Sequence, residues 1–300
     1  MLKEDVCMKK LLSIIMALAM LTAFAAPAFA ADSCKSIAFL NDFIDSRSIE
    51  VELDDSALSG FGISVKDVEV KAKFEGENNT KIAAKADIGP LSDVKIIGSG
   101  SELNGYFSFF KINVKEIIGD NFDVNGIANQ FYPILDKIDK DTVALLDLKE
   151  TKDVNLKDYG AVKAEILTVS PDKIAAKIGE EAAKQGKAGE IEGKDITALV
   201  ELAKELNIEE LNYYIALYAV SQSEDGIASF YYKDGNLIGV KVNLVDEDSL
   251  EKVSIDTTEA IGLKVESIET GVADSAFAAP SFSFDITGLV KFILNLFFKN

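Results

Sequence analysis

A chain of 300 residues carrying 50 acidic and 31 basic side chains, with a formal charge of -19, is a poor partner for nucleic acid, whose phosphates would be repelled along most of its surface. The same balance disfavours electrostatic docking on anionic lipid. Histidine is absent altogether, which removes Ser-His-Asp and Cys-His catalysis, histidine zinc sites and the usual general base at neutral pH.

The chain opens as a secretory leader. Lys9-Lys10 is followed by an apolar run from Leu11 to Phe24 and by Ala25-Ala-Pro-Ala-Phe-Ala30, a small-x-small pattern that places cleavage after Ala30. The run is shorter than the ~20 residues a spanning helix needs, so a retained anchor is disfavoured. Met8, directly before the two lysines, is an alternative start. A secreted or extracytoplasmic place in a bacterial envelope is expected. Removing residues 1–30 takes away three lysines and two acids, leaving 28 basic against 48 acidic residues. Cys7 leaves with the leader, and Cys34, then alone, is expected as a free thiol near the new terminus. Ala31-Asp-Ser33 lacks the pattern of a bacterial lipidation signal.

Ile37, Phe39, Leu40, Phe43 and Ile44 recur at helical spacing and predict a short amphipathic helix before an alternating strand, Ile49 to Leu53. Residues 65–114 then read as an antiparallel meander. Val68 to Phe74 and Ile82 to Ile88 alternate apolar and polar residues, Val94 to Ile97 follows a Gly89-Pro90 break, and Leu103 to Val114 carries Tyr106, Phe107, Phe109 and Phe110. The pattern loosens from Ile117 to Asn125. Phe131 to Ile138 predicts one or two helical turns, and Thr142 to Leu148 and Ala161 to Val169 predict strands.

Ser170-Pro-Asp172 is a helix start, with serine as N-cap and proline at the first helical position. Three helices are expected in the insertion 171–220. Ile174, Ile178 and Ala182 share one face, then Leu199, Leu202, Ala203 and Leu206, then Leu211, Ile215 and Tyr218. The stretch Gly186 to Gly193 reads as a loop between the first two. Lys233-Asp-Gly-Asn236 joins two alternating runs, Ile227 to Tyr232 and Leu237 to Val245, and predicts a tight hairpin. Val253 to Ile255 and Ile261 to Val265 supply the last strands, and Gly271 to Ser281 reads as a linker.

The tail, 282–300, predicts an apolar helix capped by Asp285, with Lys291, Asn295 and Lys299 as its polar residues. The first expectation is that it plugs the protein's own sheet. The alternative is that Phe292, Ile293, Leu296 and Phe297 enter a membrane interface or pack on another chain.

Chemical motifs are scarce. Asn121 to Gly126 resembles the start of a calcium loop but places Tyr132 where a bidentate glutamate belongs, so it reads as a turn. Asp246-Glu-Asp248 also reads as an exposed turn, and Gly98-Ser-Gly100 lacks the helix and lysine of a phosphate cradle. The acids fall mainly on polar positions and read as solvated faces. No metal and no cofactor is implied, and a carboxylate-only hydrolase is the one catalytic class left on paper.

The predicted class is α+β: a long antiparallel meander curved into an open half-barrel, with a helical insertion over its concave face. The order of leading helix, meander, helical insertion and closing hairpins over roughly residues 36–268 resembles the superfamily of periplasmic lipoprotein carriers and mycobacterial envelope lipoproteins. The resemblance is one of architecture and carries over no residue. It implies a cavity for a lipid-like ligand. A sheet so rich in aromatics points the same way, and the candidate lining is Phe74, Tyr106, Phe107, Phe109, Leu199, Leu202, Leu211, Ile215, Phe230 and Tyr232. The alternative is a cell-surface interaction module with a packed core, contacting a protein or membrane through its tail or a sheet edge.

Overall fold

The structure, a computed structural model of the chain, describes residues 34–54, 64–76, 78–100, 102–118, 125, 129, 140–184, 186, 197–198, 201, 209–245, 252–260 and 264–298. The predicted leader, the calcium-like loop apart from Asn125, Phe131 to Ile138, the predicted helix residues Leu199 and Leu202, and Asp246 to Asp248 lie outside these residues. The fold is α+β, built on two curved antiparallel sheets, and no barrel closes among the described residues.

Strands β1 (Ser48–Leu53), β2 (Val65–Phe74), β3 (Thr80–Ile88), β4 (Leu91–Ser99), β5 (Glu102–Phe107) and β6 (Phe110–Asn113) form the expected meander. The first sheet is completed at one edge by β12 (Val265–Thr270), antiparallel to β1, and at the other by the two-residue β13 (Phe284–Asp285), parallel to β6. Its register follows from the alternation. Val51, Val70, Ala84, Ile96 and Gly105 face one another as a single row across five strands. That row and its neighbours Ile49, Leu53, Val68, Ala72, Phe74, Ile82 and Leu103 form the inner face.

The outer face of this sheet is a ladder of opposite charges. Lys71 bridges Glu50 at 2.8 Å and Glu69 at 3.1 Å, Lys81 holds Glu75 at 2.7 Å, and Lys85 reaches Asp93 at 3.3 Å. Such partly exposed pairs each contribute about 0–1 kcal/mol, but they account for acids on alternating positions without any appeal to chemistry.

The remaining strands form a second sheet. Its order is β11 (Lys252–Asp256), β10 (Asn236–Val245), β9 (Ala228–Lys233), β8 (Gly160–Val169) and β7 (Leu146–Leu156). The β9–β10 hairpin turns as predicted on Asp234 (φ 50°) and Gly235 (φ 95°), the two positive φ angles such a turn demands. β7 begins and ends later than expected. It is an edge strand exposed on both faces for much of its length, so apolar alternation is a poor guide to its bounds.

Helix α1 (Lys35–Ser46) fills the space between the sheets, with Leu40 and Phe43 fully buried. Short helices α2 (Val114–Ile118) and α3 (Lys140–Val143) connect the two halves of the chain. α4 (Pro171–Lys184) starts on the Ser170-Pro171 signal and buries Ile174, Ile178 and Ala182, as its spacing requires. α5 (Glu209–Ser221) lies on β8 and β10, and a short helix, α6 (Thr257–Ala260), follows β11. One hydrophobic core runs through α1, α4, α5 and the inner faces of both sheets. Gly226, between α5 and β9, combines φ +63° with a backbone approach so close that a Cβ would lie 2.1 Å from the Leu167 carbonyl oxygen, so only glycine fits.

Leu103 to Val114 divides: a turn at Ser108 (φ 53°) and Phe109 folds it into the β5–β6 hairpin, and α2 begins at Val114. One expectation is corrected: 271–281 is not a loose linker. A 3-10 turn at Asp274–Phe277 buries Phe277 against Ala83, Ile97 and Tyr106 on the outer face of the first sheet, while Asp274 pairs with Lys73. An apolar ring between small residues is enough to dock it.

Candidate functional site

The cavity candidates do not gather at one place. Phe74, Ile215, Phe230 and Tyr232 are buried in the main core, where Phe230 meets the edge of Phe39 with ring centroids 6.2 Å apart. Tyr106 points the opposite way. Its parity differs from that of inward-facing Leu103, so it packs with Phe277 on the outer face. Phe107 and Phe109 belong to the tip of the β5–β6 hairpin, and Phe109 is exposed, with its ring 4.3 Å from that of Phe110. Leu199, Leu202 and the side chain of Leu211 lie outside the described residues.

A polar node sits at the N-terminus of α1. The helix has no side-chain cap of its own and no acid in its first turn. Glu165 supplies both from β8. Its Oε2 accepts the Ser36 amide at 2.9 Å, the Ser36 hydroxyl at 2.7 Å and the Cys34 thiol at 3.5 Å. Because Ser36 gives its only hydroxyl proton to Glu165, the Tyr232 hydroxyl, 3.1 Å away, donates to Ser36. A carboxylate at a helix N-terminus also meets the positive end of the helix dipole. Ser36 is fully buried, so the node is a structural clasp joining the second sheet to the first helix. Sequence reading missed it, although one signal was present: Glu165 shares the inward parity of Leu167 and Val169.

Cys34 is therefore not the loose terminal thiol that was expected. Burial pushes its thiol up to about 11, with the Glu165 charge adding to the effect, and burial likewise raises the Tyr232 phenol. Since the folded value exceeds the ordinary 9.0, the native state favours the protonated thiol. Its contribution to stability is intact below pH 9 and is lost as pH rises toward 11. Urea unfolding midpoints are expected to fall across that window, and the fall should be shallower in Cys34→Ala. A native chain that reacts with a thiol reagent as fast as the urea-unfolded one would contradict this burial.

Two surface clefts flank the node. One of about 510 Å³ is lined by Lys35, Lys163, Lys233 and Tyr232, and one of about 320 Å³ by Lys35, Phe39, Tyr232, Leu237 and Ile268. The Lys35 ammonium lies 5.7 Å from the Tyr232 ring centre. Among the described residues no group of three or more acidic or cysteine side chains is placed to hold a metal ion.

The most unusual surface is the C-terminal edge. Asp285 accepts the Thr287 amide at 2.8 Å, which starts helix α7 (Thr287–Phe298) as expected, and hydrogen bonds from the Thr287 hydroxyl and then its amide hold the Asp285 carboxyl below its ordinary range. The helix docks by its polar side. Thr287 is buried and its hydroxyl accepts the Asn113 amide at 2.8 Å, while Lys291 pairs with Glu116 of α2. Leu289, Phe292 and Ile293, at i, i+3 and i+4, consequently face solvent, with Phe292 61% exposed. Just upstream, Phe282 is 73% and Phe284 62% exposed, and the Phe284 amide donates to the carbonyl of the hairpin residue Phe109, which is exposed as well. The tail thus does not plug the sheet with this face. The side chains of Leu296 and Phe297 lie outside the described residues. None of the described helices is long and apolar enough to cross a membrane.

Fold and surface together define the class: an α+β protein of two curved antiparallel sheets around a common core, with an outward-facing apolar edge. No protein-family model, curated protein or solved structure matches the chain.

Proposed function

We propose that the protein is an exported, non-enzymatic interaction module whose C-terminal edge binds a hydrophobic partner surface. The observation that carries this is the inverted docking of α7, which turns Thr287 and Lys291 toward the body and Leu289, Phe292 and Ile293 toward solvent. Water penalises that arrangement by roughly 1.5–3 kcal/mol for each large side chain left uncovered, a cost recovered only when something covers the face. The pairing of acids with lysines along the first sheet supports reading them as a solvated face.

The chain from residue 31 is expected to bind a solvatochromic hydrophobic dye. Deleting residues 282–300 should abolish most of that binding while leaving the unfolding midpoint nearly unchanged. A deletion that unfolds the chain makes the tail core, and unchanged dye binding places the apolar surface elsewhere; either result defeats the proposal.

A second reading, a small lipid-like ligand of the kind the half-barrel carriers hold, draws support from the cleft in which Phe39, Leu237 and Ile268 adjoin the Lys35 ammonium. An extra mass retained in native mass spectrometry and released by solvent would favour it. A purified chain that carries nothing and ignores fatty-acid probes would count against it.

A further inference from the structure

We propose that the C-terminal edge is a monotopic attachment site for an anionic phospholipid leaflet. The inference rests on the reading that this edge is an interaction surface, and it names the partner.

Charge selects that partner. Residues 107–118 and 282–298, which build the edge, contain Lys111, Lys115 and Lys291 against Glu116 and Asp285. The chain as a whole carries -19. The apolar surface therefore lies beside a small local excess of lysine in a strongly acidic protein, and the argument from total charge against anionic lipid is weakest there. Phenylalanine and leucine on one side with lysine nearby is the composition of a helix that lies in an interface. At 12 residues α7 is about 18 Å long, enough to lie along a leaflet and too short to cross one.

The alternatives fit less well. A second copy docking edge to edge would set basic segment against basic segment and bring two acidic bodies together. An anionic leaflet attracts the lysines of the edge and repels the acidic body, which orients the molecule with the edge toward the lipid. Repulsion from the body fades within about 10 Å at moderate salt, so the attachment tolerates its charge.

The test uses the chain from residue 31, which lacks the apolar leader and retains every described residue. Co-sedimentation is measured with vesicles of phosphatidylcholine alone and of phosphatidylcholine enriched in phosphatidylglycerol. Binding is expected to the enriched vesicles and to be weaker on the neutral ones. Phe292→Ser with Ile293→Ser should lower partitioning at least tenfold, and Lys111→Gln about fivefold, with unfolding midpoints nearly unchanged because these side chains are not part of the core. Equal binding to both vesicles, or full binding by the double variant, overturns the proposal. So does indifference to vesicles combined with a dimer in light scattering that the double variant loses. That last result would leave the edge an interaction surface, with a second copy as its partner.

Discussion

Replacing Phe230 by alanine is expected to lower the stability of the folded chain by about 3–5 kcal/mol. The ring is fully buried at the centre of β9, touches Phe39 of α1 edge-on, and belongs to the core shared by both sheets. Removing it opens a cavity among residues held by two ladders and a helix, none of which can collapse inward cheaply. The same variant separates two functions for these aromatics. A ring that lines a ligand cavity is replaced with little loss of stability and altered ligand uptake, whereas a ring packed in the core costs several kcal/mol and leaves dye binding at the tail untouched. Urea unfolding followed by circular dichroism decides; a loss below about 1 kcal/mol would show that Phe230 is not core.

Glu165→Ala is expected to cost roughly 2–5 kcal/mol. It strips the Ser36 amide and hydroxyl of their acceptor inside the protein, and each buried donor left unpaired costs about 1–3 kcal/mol. The Cys34 thiol loses its partner as well, and α1 loses the negative charge at its N-terminus. Glu165→Gln should recover part of the loss, since its carbonyl oxygen can still accept while the charge is gone. Equal stability of the alanine variant and the parent would mean that the clasp is idle, and hydrogen exchange at the Ser36 amide would then be unprotected in both. The expected signature is fast exchange in the alanine variant alone.

These two residues also show what could be read before folding. Phe230 and Tyr232 were legible as buried because β9 and β10 alternate around a turn whose chemistry is local: Asp234-Gly235 satisfies a two-residue hairpin whatever surrounds it. The start of α4 at Ser170-Pro171 and the cap that Asp285 supplies to α7 were legible for the same reason, since each is settled within a few residues of chain. Glu165 was opaque. Its partners Cys34 and Ser36 lie about 130 residues earlier, and nothing near either end of that span announces the other.

Alternation by itself determined the class of this protein, because a period of two or of 3.6 follows from backbone geometry and is written residue by residue. It established the meander and the start of the helical insertion, while composition alone, with no histidine, removed imidazole chemistry. Only the tertiary structure decided that the strands divide into two sheets, that Tyr106 faces away from the core while Phe74 faces into it, and that α7 turns its apolar stripe outward. Each of these depends on which surface meets which, and an apolar stripe on a helix records only that it must be covered. In α7 Thr287 and Lys291 are held by Asn113 and Glu116, and the proposed partner is what would cover the stripe.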